Sequence, residues 1–192
     1  MHRELLLSLL QNYRSPFNTE AGYASRMRRF VQQHPNCFDR GLWPGHITGS
    51  AWVVNPSRDK VLLMHHRKHN QWFQFGGHAD GDSNILRVAL REVQEETGLP
   101  PEVIKLLSNH IFDVDIHTIH ATDSAPAHMH FDIRFLIEVD DSIPVPGNTE
   151  SHEILWVPLD EVTRFNNNLS TCRMLEKSRR IRSTLAISDY SY

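Results

Sequence analysis

The chain has 192 residues, 40% hydrophobic and 22% charged, with 20 Lys and Arg against 23 Asp and Glu and a formal charge of -3. That balance fits one globular domain and excludes a fibre or an extensively disordered chain. It provides no global attraction to nucleic acid or to an anionic membrane, and no apolar run is long enough to span a bilayer, so small-molecule partners come first. Cys37 and Cys172 offer neither a CxxC pair nor a disulfide framework, which predicts a reducing, cytoplasmic setting.

Residues 2–12 read as a helix with Leu5, Leu6, Leu9 and Leu10 on one stripe. The apolar stretch is short, broken by Ser8 and preceded by Glu4, so it makes a poor signal peptide. A second helix is expected after Asn18 as N-cap, directing Tyr23, Met27, Phe30 and Val31 inward. Pro35, Gly41, Pro44 and Gly45 then end the periodicity, and residues 34–46 read as a connector. Residues 1–45 are therefore expected to form a helical extension packed on a domain of residues 46–192.

From His46 the texture changes to strands. Residues 46–55 and 61–66 predict a hairpin around Asn55, Pro56 and Ser57. A loop leads to the short aromatic run Trp72-Phe73-Gln74-Phe75, to Gly76-Gly77, and to a helix that Asp82 or Ser83 can cap and Gly98 and Pro100 can end. Residues 104–121 and 128–139 predict two antiparallel strands, the second alternating through Met129, Phe131, Ile133, Phe135 and Ile137. A loop over 140–152, a strand over 153–157, a short helix with Pro158 in its first turn and a closing helix over 170–185 complete the chain.

The helix after the glycines carries the strongest chemical signal. At about 100° per residue, Glu92, Glu95 and Glu96 share one face beside the apolar stripe of Leu86, Ala89, Leu90 and Val93. Like charges at that spacing repel, and beside a core they need a counter-charge. Arg91 lies on the other side and neutralises one acid at best. A hard divalent cation, Mg2+ or Mn2+, fits clustered carboxylate oxygens, and Gly76 and Gly77 let a backbone carbonyl turn toward it.

The histidines are numerous, 13 in all. His128, His130 and Asp132 alternate on one strand face, and His78 follows the glycines, so His78, His130 and Asp132 could converge to contact substrate phosphates or bind a transition metal; a polar strand face in solvent is the alternative. Arg67 and Lys68 could hold a terminal phosphate. Lys177, Arg179, Arg180 and Arg182 read as the outer face of the last helix, where contact with RNA has little support. Trp72 and Phe73 read as core or as a platform for a base.

Gly77 followed by Arg91-Glu92-Val93-Gln94-Glu95-Glu96-Thr97-Gly98-Leu99 resembles the box of the Nudix hydrolases, G-x5-E-x7-R-E-U-x-E-E-x-G-U with U aliphatic, with no gap between Gly77 and Arg91. The resemblance implies an α/β fold, a three-layer sandwich of helices around a mixed sheet, here with an N-terminal helical extension. It implies a metal-dependent pyrophosphohydrolase in which water attacks a diphosphate in a nucleoside diphosphate derivative. Glu95 and Glu96 would be the main ligands, Glu92 a ligand or base, and a further acid from a later loop is expected, Glu150 ahead of Glu153.

Two positions depart from the pattern. Ser83 stands where the family has Glu, the usual partner of the box arginine, so Asp82 or Asp80 is expected to hold Arg91; Phe75 stands where proline commonly precedes the glycines. Ser83 also admits a rival, a Nudix-like module that binds a nucleotide or nucleotide sugar without turnover; a diphosphate isomerase is a fainter one. A homodimer is compatible with everything read so far.

Overall fold

The computed structural model describes residues 2–123 and 125–188. Two helices come first, α1 (Glu4–Asn12) and α2 (Asn18–Gln33). Leu6 and Leu10, one turn apart, are buried while Leu5 is 51% exposed, because a helix that packs on one side covers little more than its i, i+4 line. In α2, Ala24, Met27, Phe30 and Val31 turn inward. Asn18 is the first helical residue rather than the cap: the preceding backbone is turned instead by Ser15, whose Oγ accepts from the Phe17 amide at 3.0 Å.

The strands are β1 (Gly45–Val54), β2 (Lys60–His66), β3 (Gln71–Phe73), β4 (Phe75–His78), β5 (Lys105–Leu106), β6 (Asp113–Ile119), β7 (His128–Glu138) and β8 (Ser151–Pro158); the remaining helices are α3 (Ile85–Thr97), α4 (Val162–Phe165) and α5 (Leu169–Ser188). Together they form an α/β sandwich, helices flanking an eight-stranded mixed sheet of order β3-β2-β1-β7-β5, with β4 on β1, β6 on β7 and β8 on β2. The expected hairpin is β1 with β2, Val53 opposite Leu62, its turn held by Asn55 Oδ1, which accepts from the Asp59 and Lys60 amides at 3.1 and 3.0 Å. Residues 104–121 are two strands rather than one, and only β6 makes the expected antiparallel ladder, His117 opposite His130. Pro158 closes β8 opposite Lys60 instead of opening a helix, since the last residue of a strand tolerates a missing amide.

The chain divides into two compact units, one taking the residues up to Ala51 with Gly76–Glu92 and Ser108–Phe135, the other taking Trp52–Phe75, Val93–Leu107 and the residues from Leu136 onward. The apolar core of the first closes over a group of charged residues. Phe30 stacks on Phe131 with ring centroids 4.0 Å apart. Glu20, fully buried, accepts from the Tyr13 hydroxyl at 2.5 Å and the Val114 amide at 3.2 Å. Arg134 donates to Asp132 at 2.7 Å and Asp113 at 3.0 Å. Burial alone would weaken its charge, but Asp132, Asp113 and Asp115 hold the guanidinium above its ordinary pKa.

In the second unit the region around β2 and β8 is hydrocarbon. β2 and β8 pair along the whole of β2, burying Val61, Leu62, Leu63, Met64 and Val157. Trp52 is buried, and its indole N–H donates to Ser178 Oγ of α5 at 2.8 Å, which satisfies the one polar atom of that ring. Lys177 of α5 is only 9% exposed, so the basic face expected there reduces to the exposed Arg179, Arg180 and Arg182.

Candidate functional site

The turn from β4 into α3 is shaped by two glycines with no room for a side chain. A Cβ on Gly76 would lie 2.6 Å from Ser50 Cβ, and one on Gly77 would lie 2.6 Å from the Glu92 carboxyl carbon, so Glu92 occupies the space a side chain would fill. Asn84 caps α3, its Oδ1 accepting from the Arg87 amide at 3.2 Å. Asp82, expected as the cap, braces the approach: its Oδ1 accepts from the Asn84 amide at 2.9 Å and its carboxylate pairs with Arg87 at 2.6 Å. Gly98, at φ 71°, takes the left-handed position after the helix and donates to the Gln94 carbonyl at 2.9 Å.

Arg91 donates to the His78 carbonyl at 2.8 Å and to Glu92 Oε1 at 2.7 Å. Of the acids expected to grip Arg91, Asp80 bonds Arg40 of the connector and Asp82 bonds Arg87, and both carboxylates also feel the Arg91 charge. Each carboxylate lies below its ordinary pKa through the arginine that bonds it, Asp80 through Arg40 and Asp82 through Arg87. Arg40 carried no sequence signal, lying in a loop far from the box. Ser83 therefore leaves Arg91 oriented by a backbone carbonyl and by the acid next to it.

Glu92, Glu95 and Glu96 all fall in the last turns of α3, Glu96 5% exposed and Glu95 open to solvent. The loop that carries Glu150 is tied to the end of the same helix: the Gly147 amide donates to the Thr97 carbonyl at 2.7 Å and Asn148 Nδ2 to the Glu95 carbonyl at 3.0 Å. Glu150 is exposed, and Glu153 is exposed on β8 opposite His65. Arg67 shapes this loop, donating to the Thr149 carbonyl at 3.0 Å and the Ser151 carbonyl at 2.9 Å, while its amide donates to the Glu150 carbonyl at 2.8 Å. Its guanidinium is thus engaged by backbone oxygens. Trp72 stacks on His65 with centroids 5.0 Å apart and meets Phe165 edge-on, a half-buried side chain within its own packing cluster.

His78 and His130 do come together, with ring centroids 5.1 Å apart, and His46 joins them at 5.0 and 4.8 Å. Asp132 does not. It is buried, accepting from Thr48 at 2.9 Å, Ser50 at 2.7 Å and Arg134 at 2.7 Å, which occupies both its oxygens. The strand face of His128, His130 and Asp132 is therefore interior rather than solvated. Burial and the neighbouring imidazoles lower His46 to about 4 and His130 to about 2, so both rings are neutral near pH 7.

An α/β sandwich in which a two-glycine turn opens a helix ending in three carboxylates defines the class of this protein. Residues 46–176 match the NUDIX domain model, and the chain belongs to the Nudix family. A curated protein of Lactococcus lactis subsp. cremoris (strain MG1363), "Probable DHNTP pyrophosphohydrolase", is 27% identical over 96 residues, 50% of this chain and 55% of that protein; the match spans about half the relative's length. The solved C. elegans Ap4A hydrolase binary complex shares the fold at TM-score 0.59 and 14% identity, covering 72% of this chain and 98% of that one. A NUDIX-family hydrolase from Clostridium perfringens does so at TM-score 0.52 and 24% identity, covering 71% and 97%.

Proposed function

We propose that the chain is a divalent-metal-dependent pyrophosphohydrolase that cleaves a diphosphate linkage in a nucleoside diphosphate derivative. The observation that carries this reading is the last part of α3, where Glu96 is buried beside Glu92 and Glu95 on one helix and Glu92 fills the space left by Gly77. The donor set is all hard oxygen, which suits Mg2+ or Mn2+. Glu92, Glu95, Glu96, the Gly76 carbonyl and Glu150 would hold the ion, which when bound would offset the diphosphate charge and acidify the attacking water.

The chain's own residues supply the rest. Arg91, fixed on the His78 carbonyl, holds Glu92 in place; it is a positioning residue, and Glu92 is a ligand or the acceptor of the proton from water. His78 and His130 are assigned to substrate, with Arg67 acting through the loop it shapes. The printed names of the relatives put Ap4A and DHNTP at the head of the substrates to try, with nucleotide sugars, NTPs and ADP-ribose after them. Two free thiols, Cys37 and Cys172, support a cytoplasmic setting, and no helix among the described residues is long and apolar enough to cross a membrane.

The test is turnover of that panel with Mg2+ or Mn2+ for the wild type, Glu96→Gln, Glu150→Gln and Glu153→Gln. Glu96→Gln should cut turnover about a hundredfold or more at an unchanged Tm, and Glu150→Gln should cost more than Glu153→Gln. Near-normal activity in Glu96→Gln would sink the assignment. Ser83, in place of the family's Glu, gives one specific reason to keep the binding-only module as the second reading. Tight binding of a panel member with no turnover under either metal would favour it.

A further inference from the structure

Three neighbouring strands of the first unit each contribute one imidazole to a single point: β1 gives His46, β4 gives His78 and β7 gives His130. One ring nitrogen from each lies within 4.8 Å of the others. His46 is 1% exposed, and neither of its ring nitrogens makes a hydrogen bond of good geometry, although the Leu42 backbone lies near enough to favour the charged ring. His130 Nε2 is likewise buried and without a partner. Buried polar atoms almost always find a partner, so three unpaired nitrogens on two neighbouring rings call for one that protein atoms do not supply.

We propose that His46, His78 and His130 form a binding site for a transition-metal ion of the zinc class, distinct from the carboxylate site on α3. Three imidazole nitrogens suit Zn2+ and its neighbours rather than Mg2+, which prefers oxygen. Around a tetrahedral ion with Zn–N near 2.0–2.1 Å the nitrogens sit about 3.3 Å apart, so the cluster closes by moving the rings about 1 Å inward. Asp132, on the strand face of His130, is engaged by Thr48, Ser50 and Arg134, while Asp80 lies near enough to His78 to feel its charge. A fourth position stays open to water or to a phosphate oxygen.

The neighbouring rings are placed for a supporting role. His128 Nδ1 bonds the Pro126 carbonyl at 2.8 Å, and its ring lies 5.1 Å from His46 and 5.2 Å from His130, while His117 lies 5.4 Å from His130. The site is also wired to the box: the carbonyl of His78 is the one that receives Arg91. An ion fixing the His78 ring therefore steadies the peptide on which Arg91, and through it Glu92, is positioned.

The experiment uses the full chain with Co2+ and Zn2+ in the presence of saturating Mg2+, which occupies oxygen sites. Co2+ held by several imidazoles in a four- or five-coordinate site gives intense visible d–d bands, and Co2+ held by oxygen and water gives weak ones. The expected result is one equivalent of Co2+ with intense bands, displaced by Zn2+, and a rise in Tm of about 5–10 °C at free Zn2+ a hundred times Kd. Both should vanish in His46→Asn and His130→Gln and persist in His152→Gln, an exposed histidine on β8. If His46→Asn fails to fold, His130→Gln decides alone. Weak bands in the wild type, as a cluster satisfied by water would give, overturn the proposal, as do intense bands that survive His130→Gln.

Discussion

The interiors of the two compact units solve burial in different ways. The first closes over Glu20, Asp113, Asp132 and Arg134, all at most 2% exposed, with Glu20 accepting from the Val114 amide and both aspartates accepting from Arg134. The second closes over Val61, Leu62, Leu63, Met64 and Val157, with Trp52 bonded to Ser178. Hydrocarbon tolerates the loss of a methylene by partial collapse, whereas a buried charge stripped of its partner has nothing to collapse onto. The first interior is thus the more specific and the more brittle.

The sharpest way to break that contrast is Arg134→Met, which leaves Asp113 and Asp132 buried without their cation; it should lower stability by about 3–5 kcal/mol in a denaturant titration. Leu63→Ala in the second unit should cost less, about 2–4 kcal/mol. A reversed order would mean that the carboxylates relax or take up protons, and the contrast would fall.

The smallest effect concerns Cys37, fully buried in the first unit, where burial raises the thiol to about 11 against an ordinary value near 8.5. The unfolded chain ionises first, so this stabilisation is complete below about pH 8.5 and is lost as the pH climbs toward 11. Cys37→Ala should flatten the alkaline limb of the stability profile, removing at most roughly 3 kcal/mol of pH dependence. An unchanged alkaline limb would place its cause elsewhere.

The second interior and the helix of carboxylates were the more legible parts of the sequence. Periodicity and spacing gave α3, its glycine C-cap, the hairpin of β1 and β2 and the Glu trio, because each is written within a few residues of itself. The first interior was not. His46 lies 32 residues before His78 and 84 before His130, and only the strand order brings them together, so no spacing could show the cluster. Arg91 illustrates the same limit: Asp80 and Asp82 both lie in its field, but nothing local in the sequence shows that Arg40 and Arg87 bond them as well. Nor does the sequence mark the carbonyls of Thr149 and Ser151 as partners of Arg67. The Asn84 cap lay just beyond Asp82 and Ser83, which looked equally suited.

Descent and folding draw different borders through this chain. The segment that matches the family begins at His46, yet the backbone of the connector before it already receives two of that segment's amides, Ile47 at the Cys37 carbonyl and Gly81 at the Phe38 carbonyl. From further upstream Glu20 terminates the Val114 amide, and Phe30 covers Phe131. A chain trimmed to the inherited segment would keep every residue of the box and lose the groups that complete its interior. Residues 46–176 alone should therefore melt below the full chain, which thermal unfolding of the two checks.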